Sequence, residues 1–463
     1  MLQCRQGPAP RKEEMRTVAD DIHFEGQRAY AHLHHLAVEI GGRLGGSPQE
    51  KRAAADIEVY FRELGLVTRQ QVFPVRTYEM GEARLEILDP PMGVIACEMF
   101  YLSQNTPPEG VTGEIIYIGA GDLDNVGPEI RGKIALVLGG LRGEAHDRAM
   151  RMQPLGIITI MNELATPPIR VEQLPEVRAK VGAVPEVMVA HAQGLRLVRE
   201  GARQARIRTQ APEAESTSQN VIGELTGTVY PDEIIVVGGH YDSSLGIQGA
   251  SDNAGGTAVV MELARVFVGR GSQRTLRFVA WGAEELGLRG SVHYIKQLKE
   301  GDAAARKEPG FVAGRDRTEL EKHVLCLNID VQGALLGVNR ALALGPADLA
   351  AAVRLLAKER GPAFEVKEDV YSSDGTPLSE GGIPSLSFTR TGATTSYLHT
   401  TEDVVAFLGP QPLAEQGGFI ETFIQRYVAG ARSIPFERKV PEEMQKKIRE
   451  YFEKRLRIDY YAE

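Results

Sequence analysis

Three apolar, strand-like runs in the second half of the chain each end in a histidine or a carboxylate. The polar residues at these ends are His240 with Asp242, the pair Glu284 and Glu285, and Asp330. Ligands of open α/β sheets bind beyond the carboxyl ends of the strands. We therefore expect these side chains to meet at one edge of a sheet.

Two further residues of the same chemical type lie in loops of the same region. Asp252 lies in the glycine-flanked sequence GASDNAGG, before an apolar helix, and His399 lies in the polar sequence SYLHTTED. Taken singly, a strand-end aspartate commonly caps a helix, a histidine is more often structural, and paired glutamates commonly open a solvated helix. Their joint occurrence in one region predicts a metal site.

The set of candidate ligands is two histidines and three carboxylates without a thiolate. It suits zinc, or a harder divalent ion such as cobalt or manganese. Because five ligands exceed the three that one catalytic zinc takes, we expect two ions that share a carboxylate and a bridging water, as in hydrolases. One of Glu284 and Glu285 then coordinates and the other acts as general base. Asp242 is placed to accept the other N–H of the His240 ring.

The elements that must position these residues are indicated by periodicity. Residues 25–66 favour helix, and 67–75 favour a strand. Short β-rich runs split by glycine and proline follow, and the polar stretch 211–218 is interpreted as a linker. From residue 220 onward, apolar runs alternate with helical patterns, which predicts an α/β fold with a mostly parallel sheet flanked by helices.

The C-terminal segment 441–457 is a highly charged helical pattern with one apolar stripe. Met444, Ile448, Phe452 and Leu456 recur four apart. Such a stripe indicates either a helix docked on the body of the protein or a contact within a homodimer.

Composition excludes several classes of protein. The 463 residues carry 53 basic and 62 acidic side chains, so no global positive field favours nucleic acid or anionic lipid. Cys4, Cys97 and Cys326 lack the spacing of a disulfide framework or a thiolate zinc site. No apolar run approaches the length of a membrane span, and the charged N-terminus predicts a cytoplasmic protein. Export remains the alternative if the start codon is misassigned.

The motifs GGHYDS, GASDNAGG, WGAEELGLRGS, LNIDVQG and YLHTTED resemble, in order and spacing, those of the dizinc aminopeptidase family. This family includes bacterial leucyl aminopeptidases, glutamate carboxypeptidase and glutaminyl cyclases. The resemblance spans residues 216–433 and implies a zinc exopeptidase fold. It also implies two zinc ions, with Asp252 as the bridging carboxylate and Glu284 as the general base. The metal ligands it implies are His240, Asp252, Glu285, Asp330 and His399.

The resemblance also implies a division of the chain. The β-rich block is more loosely similar to the protease-associated domain that many members insert, through GEIIYIG, IRGKIALVL, LGIITIMN and EVMVAH. The predicted units are 15–97 as the N-terminal part of the peptidase domain, 98–214 as the insertion, 215–433 as the catalytic domain and 434–463 as the charged C-terminal helix.

Two positions depart from the family pattern. Many members have Ser-Asp-His followed by an aromatic residue, where this chain has Ser373-Asp374-Gly375 and Leu378. This difference affects the expected shape of the substrate pocket. Leu398 stands where several members carry a tyrosine that donates to the oxyanion. Tyr371 and Tyr397 are the candidate substitutes, and packing roles for both are the alternative.

The favoured function is an aminopeptidase acting on peptides. A carboxypeptidase or dipeptidase is the first alternative and needs an arginine for the terminal carboxylate, for which Arg289, Arg340 and Arg390 are candidates. A metal-dependent N-acyl amino acid deacylase is the second alternative, because that family shares the same types of ligand. The alternative from another class is an inactive, peptidase-like binding module, and it is disfavoured because all five ligands and the base are present.

Overall fold

The computed structural model describes residues 22–161 and 169–457 of the chain. The strands of the described part are, in chain order, β1 (Val67–Tyr78), β2 (Glu82–Asp89), β3 (Gly93–Ile95), β4 (Glu98–Met99), β5 (Val111–Ala120), β6 (Ile134–Leu138), β7 (Gly156–Ile160), β8 (Glu186–Val189), β9 (Gln204–Gln210), β10 (Glu213–Leu225), β11 (Tyr230–His240), β12 (Arg274–Trp281), β13 (His323–Ile329), β14 (Val338–Leu344), β15 (Phe364–Lys367) and β16 (Ser385–Thr391).

The α-helices are α1 (Gly26–His34), α2 (Pro48–Glu63), α3 (Gly143–Met152), α4 (Pro175–Val181), α5 (His191–Arg199), α6 (Gly256–Arg270), α7 (Arg289–Ala305), α8 (Glu319–Lys322), α9 (Ala347–Arg360), α10 (Gly375–Glu380), α11 (Pro410–Ile424) and α12 (Glu442–Glu450). Wider helical turns continue α1 as His35–Ile40, α11 as Gln425–Ala429 and α12 as Tyr451–Leu456.

The first sheet has eight strands in the order β1-β10-β12-β11-β13-β16-β14-β15. Its centre, β12-β11-β13-β16, is parallel, whereas β1, β10 and the β14–β16 pairing are antiparallel. The strands β12 and β13 are wholly buried and β11 is buried from Ile234 onward, as expected for strands covered on both faces. The predicted α/β class with a mostly parallel, helix-flanked sheet is therefore confirmed.

The region 25–66 forms two helices rather than a continuous one. Between them, Gly41 and Gly46 adopt positive φ angles that favour glycine, so the chain turns there. Ser47 then caps α2, because its side chain accepts a hydrogen bond from the Glu50 N–H and Pro48 occupies the first turn. Gly65, with φ of 86°, follows the end of α2.

The interpretation of 211–218 as a linker is wrong. The strand β10 begins at Glu213 and pairs with β1 along its length, so the chain passes directly from the second sheet into the first. The first residues of β10 are polar because this end is mostly exposed, and only the later part, from Ser218, is buried. Composition alone gave no sign of the pairing with β1, about 140 residues earlier in sequence.

The second sheet is also eight-stranded, in the order β3-β2-β9-β5-β6-β7-β8-β4. We call its residues, 82–161 and 169–210, the second unit. The expectation of a β-rich block is incomplete, because α3, α4 and α5 pack with these strands. The first strand of this sheet in the chain, β2, begins at Glu82. A boundary between the two sheets therefore falls before β2 rather than at residue 98, and the predicted division of the chain stays a proposal.

The C-terminal helix docks on the body of the protein, as the first of the two interpretations predicted. Met444, Ile448 and Phe452 are buried against Leu288 and Leu344 of the catalytic region. The last described residue, Arg457, forms an ion pair with Asp147 of α3. The C-terminal segment therefore contacts both the catalytic region and a helix that packs with the second sheet.

Helices long and apolar enough to cross a membrane are absent from the described part of the chain. Cys97 and Cys326 are both free thiols, and Cys4 lies outside the described residues.

Candidate metal centre

The carboxyl ends of three neighbouring parallel strands bring the candidate ligands together. His240 is the last residue of β11, Asp330 directly follows β13, and Glu284 and Glu285 lie in the turn after β12. Because β11 lies between β12 and β13, these side chains converge at one edge of the sheet, as the sequence predicted.

Asp252 lies between the two histidines. Its Oδ1 lies 3.1 Å from His240 Nε2, and its Oδ2 lies 3.3 Å from His399 Nε2. The same His240 nitrogen is 3.3 Å from Asp330 Oδ1, and the same His399 nitrogen is 3.2 Å from Glu285 Oε2. The structure thus brings all five predicted ligands into two groups that share one carboxylate.

Both groups fit a metal ion by donor type and spacing. In each, one ligand atom per residue lies within 4.8 Å of the others, and the donors are one imidazole and two carboxylates. Imidazole and carboxylate are common ligands of catalytic zinc. A buried cluster in which carboxylates outnumber imidazoles also carries an excess of negative charge that two divalent cations neutralise.

The pKa values reflect this excess of buried acid. Burial raises the pKa of Glu285 to about 8, with His399 opposing it. Burial lowers the pKa of His399, but the carboxylates Glu285 and Asp252 outweigh it and raise the value to about 10. Burial also raises the pKa of Asp252, yet hydrogen bonds from His240 and His399 bring it well below the usual range. The opposed shifts reflect buried carboxylates that only two imidazoles offset.

The loop that carries Asp252 is held by a residue to which the sequence analysis gave no role. The Asp403 carboxylate accepts hydrogen bonds from the Ser251 N–H at 2.9 Å, the Ser251 hydroxyl at 3.0 Å and the Asp252 N–H at 3.1 Å. Burial raises the pKa of Asp403 to about 6. The available signal was its place in the quoted motif YLHTTED, four residues after His399.

Asp242 orients both sides of the cluster. Its two carboxylate oxygens accept the N–H groups of Glu284 at 3.0 Å and Glu285 at 3.1 Å, which fixes the turn after β12. Its Oδ1 also lies 3.3 Å from His240 Nδ1, the contact expected from the two-residue spacing. A carboxylate on the second ring nitrogen fixes the tautomer of a metal-binding histidine.

A fully buried arginine supports the loop between β11 and the Asp252 turn. The Arg43 guanidinium donates to the carbonyl oxygens of Tyr241, Gln248 and Gly249, and also to Leu36 and Gly41. Burial lowers its pKa to about 10, and the surrounding carboxylates oppose this. No pattern in the sequence marked Arg43, because three of its five partners, Tyr241, Gln248 and Gly249, lie about 200 residues away.

Glu284 is half-buried, faces the same cluster and is absent from both groups of ligands. Burial and the neighbouring Asp374, Glu285 and Asp330 carboxylates raise the pKa of Glu284 well above its usual range, with His240 opposing them. Asp374 is fully buried and accepts a hydrogen bond from the Ser291 hydroxyl at 2.6 Å. The departure from the family pattern at Ser373-Asp374-Gly375 therefore lies next to the centre.

The two candidate tyrosines lie in different surroundings. Burial raises the pKa of the Tyr371 phenol well above its usual range, and the charges of Asp330, Asp252 and Glu284 add to this effect. The Tyr397 ring instead stacks on Phe407, with the centroids 5.5 Å apart. The structure brings Tyr371 to the centre and places Tyr397 in a packing contact.

The three candidate arginines are engaged elsewhere. Arg289 forms a bidentate pair with Glu176 of α4, and Arg340 pairs with Glu365. Arg390 is buried, and its guanidinium donates to the Ala334 carbonyl and to Asn339 Oδ1. Two of the three guanidinium nitrogens of Arg390 are thus engaged within the protein, and its role in binding substrate stays a prediction.

The edge of this mostly parallel α/β sheet presents two histidines and two carboxylates around a shared aspartate, with a further glutamate beside them. This combination defines a dinuclear metal-dependent hydrolase. Residues 220–420 match the model described as Peptidase family M28. The matched range, less than half of the chain, is similar to this family, and the chain is a peptidase. The predicted relationship to dizinc exopeptidases is thus confirmed.

Curated relatives and solved structures agree with this assignment. The chain is 26% identical over 437 residues to Aminopeptidase YwaD of Bacillus subtilis. The aligned region covers 91% of this chain and 89% of that protein. Carboxypeptidase Q of Bos taurus is 29% identical over 293 residues, 59% of this chain and 61% of that protein.

Among solved structures, BSAP, a zinc aminopeptidase from Bacillus subtilis, is 26% identical with a TM-score of 0.71 and covers 91% of this chain and 100% of its own. A Peptidase M28 precursor from Shewanella amazonensis, 21% identical with a TM-score of 0.74 over 92% of this chain and 98% of its own, shares the fold.

Proposed function

We propose that this protein is a zinc aminopeptidase that hydrolyses the N-terminal bond of peptides. The observation that carries the proposal is the shared Asp252, whose two oxygens face different histidines at 3.1 and 3.3 Å. The names of the Bacillus subtilis relatives, aminopeptidase and zinc aminopeptidase, support the choice of reaction and metal.

The proposed ligands are His240 and Asp330 for one ion, Glu285 and His399 for the other, and Asp252 for both. Bound zinc supplies Lewis-acid activation of a water molecule and of the scissile carbonyl. Cobalt or manganese suits the same donors, so the native metal stays a prediction.

The proposed general base is Glu284. Its carboxylate takes a proton from the attacking water, whose oxygen bonds to the carbonyl carbon. As the carbon–nitrogen bond breaks, the same proton passes to the leaving nitrogen. Asp242 positions Glu284 and Glu285 through their N–H groups. We assign to the Tyr371 hydroxyl, rather than to Tyr397, the hydrogen bond to the developing oxyanion.

The engaged arginines favour an aminopeptidase over a carboxypeptidase. Recognition of a terminal carboxylate needs a guanidinium with free donors. The donors of Arg289, Arg340 and Arg390 are directed to Glu176, to Glu365 and to Ala334 with Asn339. A substrate with a free amine fits the acidic surroundings of the centre better.

The proposed division of the chain keeps the predicted catalytic range 215–433, an insertion that contains the second unit, and the C-terminal helix from residue 434. Under this division the N-terminal segment completes the catalytic layer, because β1 pairs with β10 and α1 packs against α6 and α11.

The proposal is tested with the zinc-loaded protein and a pair of leucine p-nitroanilides, one with a free amine and one N-acetylated. We expect cleavage of the free amine substrate only, and Glu284→Gln should lower kcat by about 10²- to 10⁴-fold because the proton acceptor is lost. Zinc content, measured by atomic emission, should not change. Exposed Glu308→Gln is the matched control. Preferential cleavage of the blocked substrate contradicts the proposed reaction, and near-normal turnover in E284Q contradicts the role of Glu284.

A further inference from the structure

The second unit contributes part of the wall around the metal centre. The Arg170 N–H donates to the carbonyl oxygen of His399 at 2.7 Å, next to the ring that faces Asp252. The Arg170 guanidinium also donates to the carbonyl oxygens of Leu245 and Gly246, in the loop after β11. The segment around Arg170 is therefore fixed to two loops of the candidate site.

Glu172 lies two residues further along this segment, and its backbone is held on both sides. The Tyr101 N–H donates to the Val171 carbonyl at 2.9 Å, and the Gln173 N–H donates to the Tyr101 carbonyl at 2.8 Å. These bonds form a short bridge between Tyr101 and Glu172. The position of the Glu172 side chain is thus set by secondary structure rather than by a free loop.

The Glu172 carboxylate is oriented by a buried tyrosine. The Tyr78 hydroxyl donates to Glu172 Oε2 at 2.8 Å, and the Tyr78 ring stacks on Tyr101 with centroids 4.7 Å apart. Tyr78 is buried, whereas Glu172 is half-buried and keeps capacity for further donors. A carboxylate held this way resembles a preorganised binding group more than a surface charge.

The Arg170 N–H that donates to the His399 carbonyl lies two residues before Glu172, and the charge of His399 acts on the Glu172 carboxyl. Burial raises the pKa of Glu172 to about 7, the Tyr78 hydrogen bond and the charges of His399 and Arg289 lower it, and Asp242 raises it. Arg289 itself is bound to Glu176. A bound cation near Glu172 favours its ionised form.

We propose that Glu172 binds the α-ammonium group of the substrate, so that the second unit supplies the residue that selects a free N-terminus. This inference rests on the proposed aminopeptidase function. The α-nitrogen is two bonds from the attacked carbonyl carbon, so its partner must lie in the immediate wall of the centre. Of the carboxylates there, Asp252, Glu285 and Asp330 face the histidines, Glu284 is the proposed base and Asp242 accepts backbone N–H groups. Asp374 is fully buried and accepts the Ser291 hydroxyl, whereas Glu172 is half-buried and therefore accessible to the amine.

The test compares two competitive inhibitors that differ only in the amine, 1-amino-3-methylbutylboronic acid and 3-methylbutylboronic acid, on the zinc-loaded protein. In the native protein we expect the amino compound to bind more tightly. Glu172→Gln keeps the shape of the side chain and removes the charge. We expect it to weaken the amino compound by about 10- to 100-fold, the range for a charged hydrogen bond, and to leave the other inhibitor unchanged.

The same variant should raise KM for leucine p-nitroanilide more than it lowers kcat, and its zinc content should equal that of the native protein. Glu144→Gln, an exposed glutamate of the second unit, is the matched control. Tyr78→Phe, which removes the orienting hydroxyl, should give a smaller loss in the same direction. It also tests the inference if Glu172→Gln folds poorly.

Different outcomes separate the two proposals. If the native protein discriminates between the inhibitors and Glu172→Gln discriminates equally well, the role of Glu172 is wrong and the aminopeptidase function stands. If the native protein binds both inhibitors equally and cleaves only the N-acetylated substrate, the proposed function is wrong and the inference is overturned with it.

Discussion

Asp403 positions Asp252 through the backbone, from a distance of about 150 residues in sequence. Its carboxylate accepts the N–H groups of Ser251 and Asp252 together with the Ser251 hydroxyl. Three donors on one buried carboxylate leave the Asp252 loop little freedom to move. The bridging position of Asp252 between the histidines therefore depends on a residue that does not itself face the metals.

Replacing Asp403 by Asn should weaken metal binding. The amide has one acceptor oxygen where the carboxylate has two, so at least one of the three donors loses its partner or is met by an NH₂ group. We expect zinc affinity to fall about 10- to 100-fold, as is typical for groups that orient metal ligands, with the fold retained. Competition with a chromophoric chelator measures the affinity. Glu402→Gln, the exposed neighbouring residue, is the control. Native affinity in D403N contradicts this role.

At this scale, the sequence predicts the groups that perform chemistry better than those that hold them. His240, Asp330 and the Glu284 and Glu285 pair were predictable because strand ends recur at one edge of a parallel sheet. Arg43 and Glu172 were not, because their roles arise from contacts with loops far away in sequence. Tyr371 and Tyr397 could be separated only after their surroundings were known.

Among the elements, the helices and strands with clear apolar periodicity were predicted, and those defined by pairing were not. The stripe of α6 and the buried run of β12 follow directly from residue type. The polar start of β10 is a strand because β1 lies beside it, which no local pattern indicates. The turn between α1 and α2 depends on Gly41, Gly46 and the Ser47 cap, signals that are present in the sequence but weaker than the surrounding helical pattern.

The C-terminal helix allows a prediction at this scale. Ile448 is fully buried against the catalytic region, and Lys446, two residues away, is exposed. Replacing Ile448 by Ala removes buried methylene groups and leaves a cavity, which costs about 2–5 kcal/mol of stability. We expect a lower midpoint of urea unfolding for I448A and an unchanged midpoint for Lys446→Ala. Equal midpoints for the two variants would mean that the helix does not contribute to stability through this stripe.

At the scale of the whole molecule, the catalytic sheet and the second unit meet at the centre and through ion pairs outside it. The Arg289–Glu176 pair joins α7 to α4, and the Arg457–Asp147 pair joins the C-terminal segment to α3. These contacts hold Glu172 next to the metal ligands. The apolar stripe of the C-terminal helix is used within the chain, so the predicted homodimer, if formed, needs another surface.

The concentration of negative charge at one sheet edge ties the stability of the whole molecule to its metals. Asp252, Glu285 and Asp330 are brought together with only two imidazoles, and burial penalises the ionised forms of Asp252 and Glu285. Cations that bind the folded chain alone stabilise it by mass action, about 2.7 kcal/mol for each site at 100 times its dissociation constant. The chelated protein should therefore unfold at a temperature lower by at least a few degrees, and added zinc should restore the native value.

Differential scanning calorimetry at pH 7.5, before and after chelation and with zinc added back, measures the shift. Asp252→Ala removes the carboxylate common to both groups, so its Tm should respond to zinc much less than that of the native protein. Exposed Glu402→Gln should respond as the native protein does. If chelation and zinc leave the native Tm unchanged, the clustered ligands do not bind metal in the folded chain. A native response retained in D252A would instead place the stabilising ions at other residues, because no second group in the described chain shares a single carboxylate in this way.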